Sequence, residues 1–173
     1  MSDIRTNERF EIREVRPEEA EEAAELERIC FPANEACAPA QMKARVAVAS
    51  ELFLVAAEKE TGSLAGFING LATDEVSFRD AFFEDAGLHT PEGKNVLILG
   101  VVVLPQYRGL GLARELMEEY QRRQRGRGRG SLILTCLEAK VKMYEKMGFC
   151  SRGISASTWG GEQWYEMDCV LNS

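Results

Sequence analysis

The sequence predicts an α/β domain built on a mixed sheet with helices on both faces. Three observations carry this reading. Strand-like and helix-like hydrophobic periods alternate along the chain, and two strand–helix–strand passages fall in its second half. The near-unbroken apolar runs Val96–Leu104 and Leu132–Leu137 read as strands buried on both faces. At 173 residues, 45% hydrophobic and 28% charged, the chain suits one domain over 1–173, without internal repeats or a long linker.

Phe10 to Val15 alternates apolar and charged residues, as a half-buried strand does. Pro17 opens a helix over 18–30, with acids early and Ala23, Leu26, Glu27 and Cys30 in helical period. The turn Phe31 to Glu35 ends it, and a second helix covers 40–50. Residues 52–57 and 64–71 read as paired strands about a turn at Glu60 to Ser63. Val76, Phe78, Phe82 and Phe83 stand at helical spacings within 74–85, predicting a short helix that caps an apolar surface. Residues 87–94 form a loop before the strand at Val96. A charged amphipathic helix covers 112–125, followed by Gly126-Arg127-Gly128-Arg129-Gly130. After the strand from Leu132 comes a helix over 139–147, stopped at Gly148. Residues 149–154 and 163–171 are the closing strands.

Charge and composition exclude several functions. A net charge of −7 disfavours nucleic acid as a partner and suits a cationic one. The longest apolar stretch is too short to cross a bilayer, and Met1 to Arg9 lacks a signal-peptide core, so a cytoplasmic protein without a membrane partner is expected. The five scattered cysteines have no zinc or redox spacing and read as reduced packing residues. His89, the only histidine, reads as a surface loop residue, and no metal site is expected.

The stretch Val101-Val102-Val103-Leu104-Pro105-Gln106-Tyr107-Arg108-Gly109-Leu110-Gly111-Leu112-Ala113 is the most informative. A buried strand ends at Pro105, and a tight turn leads into a helix whose first turn has small residues. Its unpaired N–H groups and the positive end of the helix dipole can cradle a diphosphate, with Arg108 adding a cation. A P-loop would need Lys and Ser or Thr where Leu112 and Ala113 stand. A dinucleotide fold would need glycine at Arg114 and an acid near Arg127 and Arg129. A purely structural turn remains open.

This Arg-x-x-Gly-x-Ala string after a Val-x-Pro strand end resembles the acetyl-CoA motif of the GNAT superfamily of N-acetyltransferases. Tyr144-Glu145-Lys146-Met147-Gly148-Phe149 is similar to that family's Tyr-Glu-x-x-Gly-Phe signature. The segments Cys30-Phe31-Pro32, Phe67-Ile68-Asn69-Gly70, the helical segment from Asp74, Leu134-Thr135-Cys136 and Glu166-Met167-Asp168-Cys169 further resemble the arylalkylamine (serotonin) N-acetyltransferase group, from about Phe10 to Leu171. The resemblance implies a mixed, mostly antiparallel sheet whose central strands splay around the pantetheine arm. It implies acetyl-CoA as co-substrate, held by backbone groups of Val101 and Val103 and by Gln106, Arg108, Gly109, Leu110, Gly111, Leu112 and Ala113. The Val101 N–H would polarise the thioester carbonyl, and the acceptor would be a small primary amine.

Tyr144 is the expected acid, because a phenol keeps its proton at neutral pH and can deliver it to a thiolate. The two histidines that serve as base in vertebrate relatives correspond to Leu97 and Leu99 here, so that base is missing. Insect relatives use a glutamate just after the first helix, and Glu35 stands at the matching distance from Phe31. Phe31, Pro32, Phe78, Phe82 and Phe83 either wall the acceptor pocket or pack the core. The arginines of 122–129 read as a solvated helix end or a contact to the CoA phosphates. Acceptors other than arylalkylamines (polyamines or protein amines), a non-catalytic acetyl-CoA sensor, and a monomer or homodimer all stay open.

Overall fold

The structure, a computed structural model, describes residues 8–171. Residues 1–7, most of the segment read for a signal-peptide core, and residues 172–173 lie outside the described residues. The strands are β1 (Phe10–Glu14), β2 (Phe53–Glu58), β3 (Leu64–Thr73), β4 (Asn95–Val103), β5 (Ser131–Cys136), β6 (Cys150–Ile154) and β7 (Tyr165–Val170). They form one open sheet in the order β1-β2-β3-β4-β5-β7-β6, antiparallel throughout except where β4 runs parallel to β5. The helices are α1 (Ala20–Cys30), α2 (Pro39–Val48), α3 (Ala81–Glu84), α4 (Leu112–Gly126) and α5 (Val141–Lys146).

Strand alternation divides the core between the two faces. Phe53, Val55, Phe67 and Val102 pack with Ala23 and Leu26 of α1 and with Met42 and Val46 of α2. Leu54, Ile68, Leu97 and Leu132 point the other way, onto Leu116, Met117 and Tyr120 of α4. Each such fully buried side chain stabilises the fold by roughly 1.5–3 kcal/mol.

Two irregularities open the sheet at its centre. The β3–β4 register shifts after Asn69, so that Asn69 faces Gly100 while Gly70 faces Ile98, leaving Leu99 as the extra residue. The parallel pairing of β4 with β5 covers only Asn95–Leu97 against Ser131–Ile133. Beyond Leu97 the two strands part. The sequence reads Val96–Leu104 as buried on both faces, but Leu99, Gly100, Val101 and Val103 are only partly buried because they border this gap.

Other expectations are corrected by side-chain contacts, most of them distant in sequence. Only the single turn of α3 forms within 74–85, because side chains satisfy the preceding backbone. Thr73 accepts from the Glu75 N–H at 3.1 Å, and Glu166 accepts from the Phe78 N–H at 3.2 Å. His89 is not a surface residue: its side chain is 2% exposed. Its Nδ1 accepts from the Ala72 N–H at 3.0 Å and its Nε2 meets Glu51 at 3.0 Å. The arginine run begins about 15 Å along α4 from its start and continues past its C-terminal end, where its side chains have partners within the protein. Arg122 and Arg123 pair with Glu119, Arg127 donates to the Glu51 carbonyl, and buried Arg129 donates to the Gly93 carbonyl.

Candidate active site

The turn between β4 and α4 forms the expected cradle. Gly109 and Gly111 adopt φ of +82° and +79°, which glycine reaches without the steric penalty of a Cβ, and nothing lies within 4 Å of where a Cβ would stand on either. Gly111 is the N-cap of α4, and the first turn of α4 aims its unpaired N–H groups toward this open space. Arg108 is held by its Nε bond to the Val103 carbonyl at 3.1 Å. Val103, Arg108, Gly109, Gly111, Leu112 and Ala113 surround one cavity of about 240 Å³. Gln106 and Leu110 lie exposed on the turn and line neither cavity.

A larger cavity of about 580 Å³ occupies the gap between β4 and β5 and meets the cradle at Val103, Arg108 and Ala113. Val101, Tyr144 and Glu35 line it, so the structure brings together both expected catalytic residues and the strand backbone. Tyr144 comes from α5, edge-on to Phe149 at 5.8 Å. Burial raises its phenol far above the ordinary value, with Cys136 adding to the effect, so the hydroxyl stays protonated. Leu99, one of the positions lacking histidine, lines the cavity, whereas Leu97 is packed in the core.

Of the five residues considered for an aromatic wall, Phe31, Pro32 and Phe83 line the cavity, while Phe78 and Phe82 are buried packing residues. The loop before β7 supplies two walls that the sequence reading missed, Trp159 and Trp164. Trp159 stacks on Phe83 at 4.7 Å and donates its indole N–H to the Glu35 carbonyl at 3.0 Å. Asn34 donates to the Gly160 carbonyl at 2.7 Å, and Asp80 accepts from Ser157 and Thr158. These contacts strap the loop across the cavity. Its tryptophans and glycines carry no periodic signal that would place them there.

Burial raises the Glu35 carboxyl above the usual range, and the Glu162 carboxylate raises it further. Glu27 is a second cavity carboxylate that the sequence reading did not single out. It sits on the inward stripe of α1, 3% exposed, and accepts from the Cys37 N–H. Burial raises its pKa, with Arg45 opposing. The available signal was a glutamate in the apolar period Ala23, Leu26, Cys30. The cavity thiols Cys37 and Cys136 are each pushed up to about 11 by burial, which keeps them uncharged and poorly nucleophilic.

Together these features define an α/β protein whose splayed mixed sheet joins an anion cradle to a carboxylate-bearing cavity. The chain belongs to the acetyltransferase (GNAT) family, whose sequence model matches residues 18–149. No curated protein matches it. Among solved structures it is similar to the GphF GNAT-like decarboxylase in complex with isobutyryl-CoA, at 21% identity and TM-score 0.79 over 94% of this chain and 100% of that one. It is also similar to the loading GNATL domain of CurA from Lyngbya majuscula, at 14% identity and TM-score 0.80 over 94% and 98%. A third is YncA from Salmonella typhimurium with acetyl-CoA, at 18% identity and TM-score 0.66 over 95% of both chains. At these identities the likeness establishes the fold. Among the described residues no helix is long and apolar enough to cross a membrane, and no cluster of three metal-ligating side chains occurs.

Proposed function

We propose that the protein is a cytoplasmic acetyl-CoA-dependent enzyme that acetylates a small primary amine carrying an aromatic group. The observation that carries this reading is the single cavity in the strand gap, which places carboxylates, aromatic rings and Tyr144 around the backbone of Val101. The first turn of α4, with Arg108, holds the diphosphate, and the backbone of Val101 and Val103 aligns the pantetheine arm. Acetyl-CoA supplies the activated acyl group. The Val101 N–H stabilises negative charge developing on the carbonyl oxygen, as an oxyanion hole does. Tyr144 gives its proton to the departing sulfur. Glu35, at the cavity wall beside Trp159, draws the cationic amine inward and is a candidate to receive its proton, while Phe83 and the tryptophans contact the aromatic group.

Release of CoA with 2-phenylethylamine, tryptamine, spermidine and a lysine peptide tests the reading. Fastest turnover with the aromatic amines supports it. Preference for spermidine or the peptide would move the acceptor to polyamines or protein, and acetyl-CoA binding without turnover on any amine would make the chain a sensor.

A further inference from the structure

The two cavity carboxylates stand in different settings. Glu35 belongs to the loop after α1 and is anchored through its backbone carbonyl, with the Glu162 carboxylate as its charged neighbour. Glu27 lies deeper. One of its oxygens accepts from the Cys37 N–H, while the other, Oε1, comes within 3.4 Å of where a Cβ on Gly100 would stand. Asn69, paired with Gly100 across the β3–β4 bulge, brings its Oδ1 within 3.5 Å of the same point. That oxygen is buried and has no hydrogen-bond partner. Two acceptor oxygens therefore converge beside Gly100, immediately before the Val101 N–H. An ammonium group, with three N–H donors and no acceptor, complements both.

We propose that Glu27, with Asn69, binds the ammonium group of the acceptor and takes its proton, so that the nitrogen is freed beside the Val101 N–H. The inference rests on the N-acetyltransferase reading and assigns to Glu27 the step that the sequence assigned to Glu35.

The proton balance is complete. The ammonium gives one proton to Glu27, and its lone pair forms the C–N bond as the C–S bond breaks. Tyr144 protonates the sulfur and is replenished by the second proton leaving nitrogen. Glu27 returns its proton to solvent along the cavity. Few charged groups complicate this carboxylate. From α2, Arg45 is the cation that acts on Glu27, and it donates to the Phe83 carbonyl at 2.9 Å. Cys30 on α1 and Cys37 in the following loop are neutral thiols whose pKa values burial raises, and β3 contributes the uncharged Asn69. Burial also lifts Glu27 toward the range in which a carboxylate serves as a base near neutral pH.

The test compares wild type, Glu27→Gln, Glu27→Asp and Glu35→Gln, with 2-phenylethylamine as probe. Glutamine keeps an acceptor for the Cys37 N–H, and an unchanged acetyl-CoA affinity checks that the fold is intact. In wild type, log kcat/KM should reach a plateau in the neutral range, because the carboxylate collects the ammonium form. In Glu27→Gln it should fall about 10²–10⁴-fold at pH 7. It should then rise with unit slope toward the amine's own pKa of about 10. Calorimetric affinity for the amine in the absence of acetyl-CoA should fall at least about tenfold, the size of effect that loss of a buried charge-assisted hydrogen bond gives. Glu27→Asp should keep the plateau at a lower rate, and this variant carries the test if the glutamine variant fails to fold. A plateau and amine affinity that survive in Glu27→Gln but vanish in Glu35→Gln overturn the inference while leaving the reading intact. A wild type that acetylates no primary amine overturns both.

Discussion

Tyr144 joins a packing role to the acid role proposed for it. Its ring packs against Phe149 and is almost fully buried, and the residue lines the cavity between β4 and β5. The burial that secures the ring also holds the phenol protonated, which suits the donor role proposed for it and not that of a base. Tyr144→Phe preserves the packing and removes the donor. Single-turnover rates are expected to fall about 10²–10⁴-fold while acetyl-CoA affinity, measured by calorimetry, stays unchanged. Trp159 acts at the same scale by holding the loop that carries Glu35. Trp159→Phe retains the stack on Phe83 but loses the indole bond to the Glu35 carbonyl. Such a bond contributes about 0.5–1.5 kcal/mol, so KM for the amine should rise several-fold with little change in kcat. Equal KM values in the two proteins would remove Trp159 from acceptor binding.

At the level of elements, the proposed positioning of acetyl-CoA falls to the junction of β4 with α4. Its motif was legible in the chain because the demands are local: a strand end, left-handed glycines and a helix start within about ten residues. Gly111 has open space around it, so a larger side chain meets no clash with protein atoms, but its φ of +79° disfavours any residue with a Cβ. Gly111→Val should therefore weaken acetyl-CoA binding by filling the cradle, and lower stability by at least about 1–2 kcal/mol through the left-handed backbone. Calorimetry with urea unfolding separates the two effects. An unchanged affinity would make the turn purely structural.

Across the whole molecule, His89 ties three separated segments together, accepting from Ala72 on β3 and meeting Glu51 ahead of β2. Burial lowers its pKa below the ordinary histidine value, against the pull of Glu51 and with Arg129 assisting. The unfolded chain therefore binds the proton more readily than the folded one. The contribution of His89 is complete above the unfolded pKa of about 6.5 and diminishes as pH falls through it. Melting temperature should decline between pH 7.5 and 5.5, and His89→Gln should show a shallower decline from a lower starting value. Parallel declines in the two proteins would show that other groups dominate acid sensitivity.

The sequence by itself determined the alternation of elements, the cradle and the Tyr144 signature, because periodicity and turn chemistry act between near neighbours. It also marked Glu35, which the fold brings into the cavity through the loop after α1. The resemblance implied that the central strands splay, but only the tertiary structure decided that β4 parts from β5 after Leu97, since that point depends on which residues of two distant segments remain paired. It decided the burial of His89 and the shortness of α3, where partners 17 to 88 residues away replace the local bonds expected from sequence. The depth of Glu27 was decided in the same way. A glutamate in a helical stripe looks like an interruption of the core until Asn69 and Gly100, from two other elements, are placed beside it.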